Sequence, residues 1–215
     1  MRQEGAIVLG IGGDNSHASA GSFFEGVMTS GHPTDHADNA IQANIVAAGY
    51  GAPTGLSGTL TPGSEISLQA TTACCTGDYV RNRNGAVVIA PITSHSSKQD
   101  KGDATWIVRR GLADNSCVSF ELKSNPGEFL RHQNSALRSQ PFDGTALNRS
   151  DATFCSKPGK DGKGTSFHAV NFPTQYIRHY SGKVFIASDD GTNAWDNKAL
   201  WADDTTFVVS PPWLP

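Results

Sequence analysis

The chain has 215 residues, and its 17 Lys and Arg against 20 Asp and Glu give a formal net charge of −3. That balance offers no basic surface to recruit nucleic acid or an anionic membrane, and no apolar run approaches the roughly 18 residues that a membrane-spanning helix requires. With 23 Gly, 11 Pro and hydrophobic residues at 37%, a loop-rich β protein is favoured over a helical bundle.

Residues 1–52 open with Ala6-Ile7-Val8-Leu9, a short buried strand running into Gly10-Ile11-Gly12-Gly13-Asp14-Asn15. A dinucleotide-binding fingerprint would need its third glycine where Asn15 stands, and no βαβ unit follows, so that reading is rejected. The same apolar run is too short for the core of a signal peptide, so no export signal is expected in the chain as given. Phe23-Phe24-Glu25-Gly26-Val27-Met28 reads as a second strand. Asp35 or Asp38 then caps a helix in which Ile41, Ile45 and Ala48 share one face, and Gly49 stops it. These pieces hold too little core to fold alone, and are expected to be the tail of a larger domain. Asp14, with Glu25 eleven residues on, is the kind of carboxylate pair that glycoside hydrolysis uses. An Asp in a Gly/Asn loop also serves simply as turn chemistry. A Gly-, Thr-, Ser- and Pro-rich stretch begins at Gly51, and the linker is placed at 53–64.

From residue 65 onward one pattern is spoken three times. Ser67-Leu68, Ser119-Phe120 and Ser166-Phe167 open the units; Tyr79-Val80-Arg81-Asn82, Phe129-Leu130-Arg131-His132 and Tyr176-Ile177-Arg178-His179 come next; Asp103-Ala104-Thr105-Trp106, Asp151-Ala152-Thr153-Phe154 and Asp204-Thr205-Thr206-Phe207 close them. The period is about 50 residues, the size of one supersecondary unit that cannot bury its apolar face alone. Short alternating strands are predicted at Ile66-Ser67-Leu68-Gln69-Ala70, Ala86-Val87-Val88-Ile89, Trp106-Ile107-Val108, Val118-Ser119-Phe120-Glu121-Leu122, Lys183-Val184-Phe185-Ile186-Ala187 and Thr206-Phe207-Val208-Val209. Three units with room for about four strands each predict an all-β fold, a β-trefoil over 65–215, in preference to a three-bladed propeller.

The Arg and the Asp recur in every unit, which is the mark of a structural role. The residue after the Arg varies (Asn82, His132, His179), as a ligand-contacting position can. His with Asp suits sugar recognition: a carboxylate accepts strong charge-assisted bonds from neighbouring hydroxyls, and imidazole supplies a donor or an acceptor. Tyr180, directly after His179, offers a ring for a sugar to stack on, whereas the second unit has Gln133 at that place. A metal site would want more ligands at close spacing, so neither metal nor cofactor is expected.

Four cysteines, Cys74, Cys75, Cys117 and Cys155, allow three connectivities, and the sequence does not choose among them. Cys117 and Cys155 fall at comparable strand ends of neighbouring units, which is compatible with a bridge. Vicinal Cys74-Cys75 would close only as a strained ring, with two buried free thiols as the alternative. Paired cysteines would imply a secreted protein, and the sequon Asn148-Arg149-Ser150 agrees with that weakly.

Three stretches carry a family resemblance: Gly5-Ala6-Ile7-Val8-Leu9-Gly10-Ile11-Gly12-Gly13-Asp14-Asn15-Ser16, Glu25-Gly26-Val27-Met28-Thr29-Ser30-Gly31 and Asn39-Ala40-Ile41-Gln42-Ala43-Asn44-Ile45-Val46-Ala47-Ala48-Gly49-Tyr50. They resemble the end of the β-sandwich catalytic domain of α-L-arabinofuranosidase B, glycoside hydrolase family 54. The remainder resembles carbohydrate-binding module family 42, the arabinose-binding β-trefoil that comes after it. The resemblance implies that Asp14 is the general acid/base, with Gly13 in the substrate loop. It implies arabinofuranose pockets at His132 with Asp151 and at His179 with Asp204, a further one at Asn82 with Asp103 being the departure from pattern, and a Cys117–Cys155 disulfide. The family's nucleophilic glutamate lies upstream of this stretch, and Glu25 does not replace it. The expectation is therefore a secreted monomer that binds terminal α-L-arabinofuranosyl side chains of arabinan and arabinoxylan without turnover. The alternatives are a retaining arabinofuranosidase, if the rest of a catalytic domain is supplied, or a structural module without ligand.

Overall fold

The computed structural model describes residue 34 and residues 60–214. The chain divides into two units, Met1–Pro53 and Thr54–Pro215, and every element below belongs to the second. Gly13, Asp14, Glu25, the catalytic-domain strands and helix expected over 1–52, and the linker as far as residue 59 lie outside the described residues.

Each repeat yields four strands. They are β1 (Glu65–Ala70), β2 (Asp78–Arg83), β3 (Ala86–Pro91) and β4 (Trp106–Arg110); β5 (Val118–Leu122), β6 (Glu128–Gln133), β7 (Ala136–Pro141) and β8 (Phe154–Pro158); and β9 (Thr165–Ala169), β10 (Phe172–Tyr180), β11 (Lys183–Ala187) and β12 (Phe207–Ser210). A short helix precedes the last strand of each unit: α1 (Lys98–Asp103), α2 (Ala146–Asp151) and α3 (Trp201–Asp204). Ser97 and Thr145 cap α1 and α2 by accepting from the backbone N–H of Asp100 and Asn148.

The second and third strands of each unit form a hairpin closed by two residues of positive φ: Asn84-Gly85, Asn134-Ser135 and Ser181-Gly182. A two-residue turn of that hand matches the right-handed twist of the strands it joins. Register is set accordingly, with Arg81 opposite Val88, Arg131 opposite Arg138, and Arg178 opposite Phe185.

The β-trefoil expected from the repeat is corrected by the hydrogen-bond ladders to an all-β, closed antiparallel barrel. All twelve strands belong to one sheet. A continuous circuit runs β1–β4–β5–β8–β9–β12 and back to β1. The three hairpins are tied together by β3–β7, β7–β11 and β11–β3 pairing. Repetition predicted three units, but it carried no information about how their edges are used. Unpaired edge strands leave N–H and C=O groups open, so the ladders cross unit boundaries until the sheet closes.

The core takes the same residue from each repeat: Leu68, Phe120 and Phe167; Val80, Leu130 and Ile177; Trp106, Phe154 and Phe207, all fully buried. Burying each such side chain contributes about 1.5–3 kcal/mol. Beside them the serines Ser67, Ser119 and Ser166 are also wholly buried. The closing threonines Thr105, Thr153 and Thr206 each donate back to a carbonyl four residues earlier, at Lys101, Arg149 and Ala202. The repeated Thr thus fix the helix ends, and the repeated Ser are part of the buried scaffold beside them.

Candidate functional site

Each repeated Asp is the last residue of its short helix, and each repeated Arg reaches it from the hairpin of the same unit. Arg131 Nη2 donates to Asp151 Oδ2 at 2.6 Å, and Arg178 Nη2 to Asp204 Oδ2 at 3.0 Å. Arg81 differs, for its Nη2 lies 2.7 Å from Asp100 Oδ1 and 3.5 Å from Asp103 Oδ2. Arg178 is wholly buried. It also donates to the carbonyls of Trp195, Asn197 and Ala199 at 2.8, 2.5 and 2.6 Å, pinning the loop before α3.

The other oxygen of each carboxylate is held from the next repeat. In the second unit, Asn171 Nδ2 donates to Asp151 Oδ1 at 2.9 Å, and Asn171 Oδ1 takes the N–H of His132 Nε2 at 3.0 Å. The third unit does the same with a hydroxyl: Thr72 Oγ1 donates to Asp204 Oδ1 at 2.8 Å and accepts from His179 Nε2 at 2.9 Å. Both rings therefore carry a proton on Nε2. The His-to-Asp separations are 3.4 Å for His132 and 3.5 Å for His179. Burial pushes the His179 imidazole below its usual range and outweighs the pull of Asp204, so the ring is neutral at pH 7.

The first unit is wired differently. Asn82 Oδ1 accepts from the backbone N–H of Gly85, in its own hairpin turn, at 2.9 Å. Asp103 Oδ1 takes hydrogen bonds from Gln99 at 3.0 Å and Ser124 at 2.6 Å. Asn82 and Asp103 are each committed to internal partners rather than to each other.

A cavity of about 470 Å³ opens over the second unit, lined by Arg131, His132, Asp151, Asn171, Phe172 and Leu147 among others. A second, of about 290 Å³, opens over the third, and Thr72, His179, Tyr180, Asp204 and Leu200 line it. Apolar side chains lie exposed at both rims, Leu147 at 66%, Phe172 at 45% and Leu200 at 59%. The Phe172 ring meets the His132 ring edge-on at 5.4 Å. Tyr180 lines the third cavity, with the Arg178 guanidinium 5.8 Å from its ring centre. Charged acceptors at the floor and apolar surface at the rim match the hydroxyl edge and the C–H face of a polyhydroxylated ring.

His132 with Asp151, and His179 with Tyr180 and Asp204, are therefore brought together as single clusters. Thr72, Asn171, Phe172, Leu147 and Leu200 escaped the sequence reading. One signal was there: Thr72, Ser124 and Asn171 each stand five residues beyond the repeated serine, and all three bond the repeated Asp. Cys117 is joined to Cys155, the pairing that the resemblance implied. Cys74 is joined to Cys75, which corrects the alternative of two buried free thiols. Cys74 is in fact exposed and Cys75 half-buried.

A family model described as the alpha-L-arabinofuranosidase B (ABFB) domain matches residues 68–209, and one described as alpha-L-arabinofuranosidase B, catalytic, matches residues 1–51. The chain is similar to an alpha-L-arabinofuranosidase of Hypocrea jecorina, 48% identical over 211 residues that make 98% of this chain and 42% of that protein. It is equally similar to a probable alpha-L-arabinofuranosidase B of Aspergillus clavatus, at 48% identity over 98% of this chain and 42% of that one. Among solved structures it is similar to an arabinofuranosidase complexed with arabinofuranosyl-alpha-1,2-xylobiose, with TM-score 0.72 and 35% identity over 86% of this chain and 39% of that chain. The chain thus spans about 42% of the length of the curated relatives it matches.

Proposed function

The chain belongs to the alpha-L-arabinofuranosidase B family, and on that premise we propose that residues 65–215 are a carbohydrate-binding module for terminal α-L-arabinofuranosyl side chains of arabinan and arabinoxylan. The observation that carries this reading is the contrast between units. Where His follows the Arg, the His and Asp lie together beneath an open cavity; where Asn82 follows it, the side chain turns into its own hairpin. A carboxylate oxygen accepts from two sides, so Asp151 and Asp204 keep lone pairs for sugar hydroxyls after their internal bonds are made. The imidazoles are held in one orientation by Asn171 and Thr72 of the neighbouring repeat, and that preorganisation lowers the cost of binding.

On this reading residues 1–52 are the end of a catalytic domain, joined through 53–64, with Asp14 as its general acid/base and Gly13 in the substrate loop. The 215 residues bind without turnover, and release of arabinose belongs to a longer, secreted protein. The discriminating experiment is affinity electrophoresis on soluble arabinoxylan beside an assay of arabinose release from the same sample. Retardation without release, lost in a His132→Ala/His179→Ala variant that still folds, supports the binding module. Release abolished by Asp14→Asn would make the chain an enzyme. Neither retardation nor release would leave a structural module.

A further inference from the structure

One wall of the third cavity is a covalent ring. Cys74 and Cys75, joined to each other, line it beside Thr72 and His179. We propose that this vicinal disulfide is the stacking platform of the third pocket, the surface against which the C–H face of a bound sugar packs, as Phe172 is in the second; the proposal rests on the saccharide-binding function proposed for the module.

Position argues for it first. Thr72 and Asn171 do the same work, each holding the Asp and the His of the preceding unit in the closed circuit. Each stands two residues past the end of the equivalent strand, β1 or β9. The residue after Asn171 is Phe172, on the rim of its cavity; after Thr72 come Ala73 and then the Cys74–Cys75 pair. The remaining repeat is informative because it lacks both features. There Ser124 precedes Asn125-Pro126, and Ser124 serves Asp103, whose unit carries Asn82 in place of His. Apolar surface at this place thus accompanies the His, within one chain and across three units.

Chemistry argues for it next. Disulfide sulfurs are polarisable and weakly hydrated, and they pack against C–H groups much as aromatic faces do. The ring is rigid, so little side-chain freedom remains to be lost on binding. Cys75 packs against the core and its N–H bonds the Thr72 carbonyl at 2.8 Å, while Cys74 remains exposed. The platform is anchored on one side and open on the other. Leu200 and Tyr180 line the same cavity, which lets a furanose ring be gripped between apolar walls over the Thr72–His179–Asp204 floor.

The test is a Cys74→Ala/Cys75→Ala variant of the full chain, made in two backgrounds and run on soluble arabinoxylan. With His132→Ala only the third pocket binds, and loss of the disulfide weakens retention roughly tenfold, the scale of a lost stacking contact. With His179→Ala only the second pocket binds, and retention stays as in that background, which reports in the same measurement that the domain is folded. Equal retention with and without the disulfide in the His132→Ala background overturns the platform while leaving the binding function intact. Parallel loss in both backgrounds, or a Phe172→Ala change that spares the second pocket, also overturns it. If the unmodified chain is not retained at all, saccharide binding itself fails and the platform with it.

Discussion

Arg81, Arg131 and Arg178 occupy one place in the repeat, yet their burial and partners differ, and the consequences of removing an Asp differ with them. The Arg178 side chain is 1% exposed and Asp204 is its carboxylate partner, with three backbone carbonyls and the Asn197 side-chain oxygen as its other acceptors. Asp204→Ala leaves that charge in a dry site and is expected to cost about 3 kcal/mol. Asp103→Ala is expected to cost clearly less, because Arg81 keeps Asp100 at 2.7 Å and its side chain is 11% exposed. Urea unfolding of the two variants at pH 7 compares them directly. His179 gives a pH signature. Its folded pKa lies below the ordinary 6.5, through burial first and the Arg178 charge besides, against the opposing pull of Asp204 and Asp78. The unfolded chain therefore takes up the proton first. The resulting penalty is absent above pH 6.5, grows as pH falls below it, and stops growing once the folded pKa has been passed. Stability should fall as pH drops below about 6.5, and His179→Gln should flatten that fall. Asp100, Asp114 and Asp143, held low by hydrogen bonds from Ser97, Ser116 and Thr145, act only at more acid pH, below the ordinary 3.8.

At the scale of elements, the hairpins and the joints between repeats are where the sheet is tuned. Two hairpin turns use Gly for their second positive-φ residue, but the middle one uses Ser135 at φ 64°. A side chain in that conformation costs roughly 1 kcal/mol, so Ser135→Gly should raise the thermal midpoint, by up to about 1 kcal/mol in stability. The joint between β5 and β8 is a single paired position, Val118 with Phe154. Cys117 and Cys155 are the residues immediately beside it, and their disulfide closes a loop of 38 residues in sequence. In the chain-entropy model such a bond contributes about 4 kcal/mol. Cys117→Ser/Cys155→Ser should lose most of that in denaturant unfolding, with the first opening at the β5–β8 seam seen as amide exchange at Val118.

Over the whole molecule, the circuit of strands makes each site a shared product of two repeats. The second unit borrows Asn171 from the third, and the third borrows Thr72 from the first. On the proposed function, two pockets on one rigid barrel would bind a polysaccharide with avidity when its side chains match their spacing. His132→Ala or His179→Ala alone should lower the stoichiometry for a small soluble arabinofuranoside from two to one, leaving the remaining site's Kd unchanged in calorimetry. On arabinoxylan the same single change should weaken binding by on the order of 100-fold. Loss of only half the affinity on the polymer would mean that the pockets engage it one at a time.

The strands, the repeat and the positions of His132, Asp151, His179 and Asp204 are all written locally. Alternation at period two, turn residues at the hairpin tips, and a phrase repeated every 50 residues or so are properties of neighbours along the chain. The closure of the sheet is not local, and the expected trefoil gave way to the barrel because edge pairing between units is set by what remains unpaired after each unit forms. The same holds for the site. Thr72 and Asp204 are 132 positions apart and Asn171 and Asp151 only 20, yet both contacts exist because the circuit lays the start of one unit against the helix end of another. The Cys74–Cys75 ring becoming a wall of the cavity over His179 and Asp204 is decided there too. The sequence by itself determined which chemical groups each repeat carries; the tertiary structure decided which of them meet, since contact across a closed sheet depends on register and closure, and neither is encoded within any one repeat.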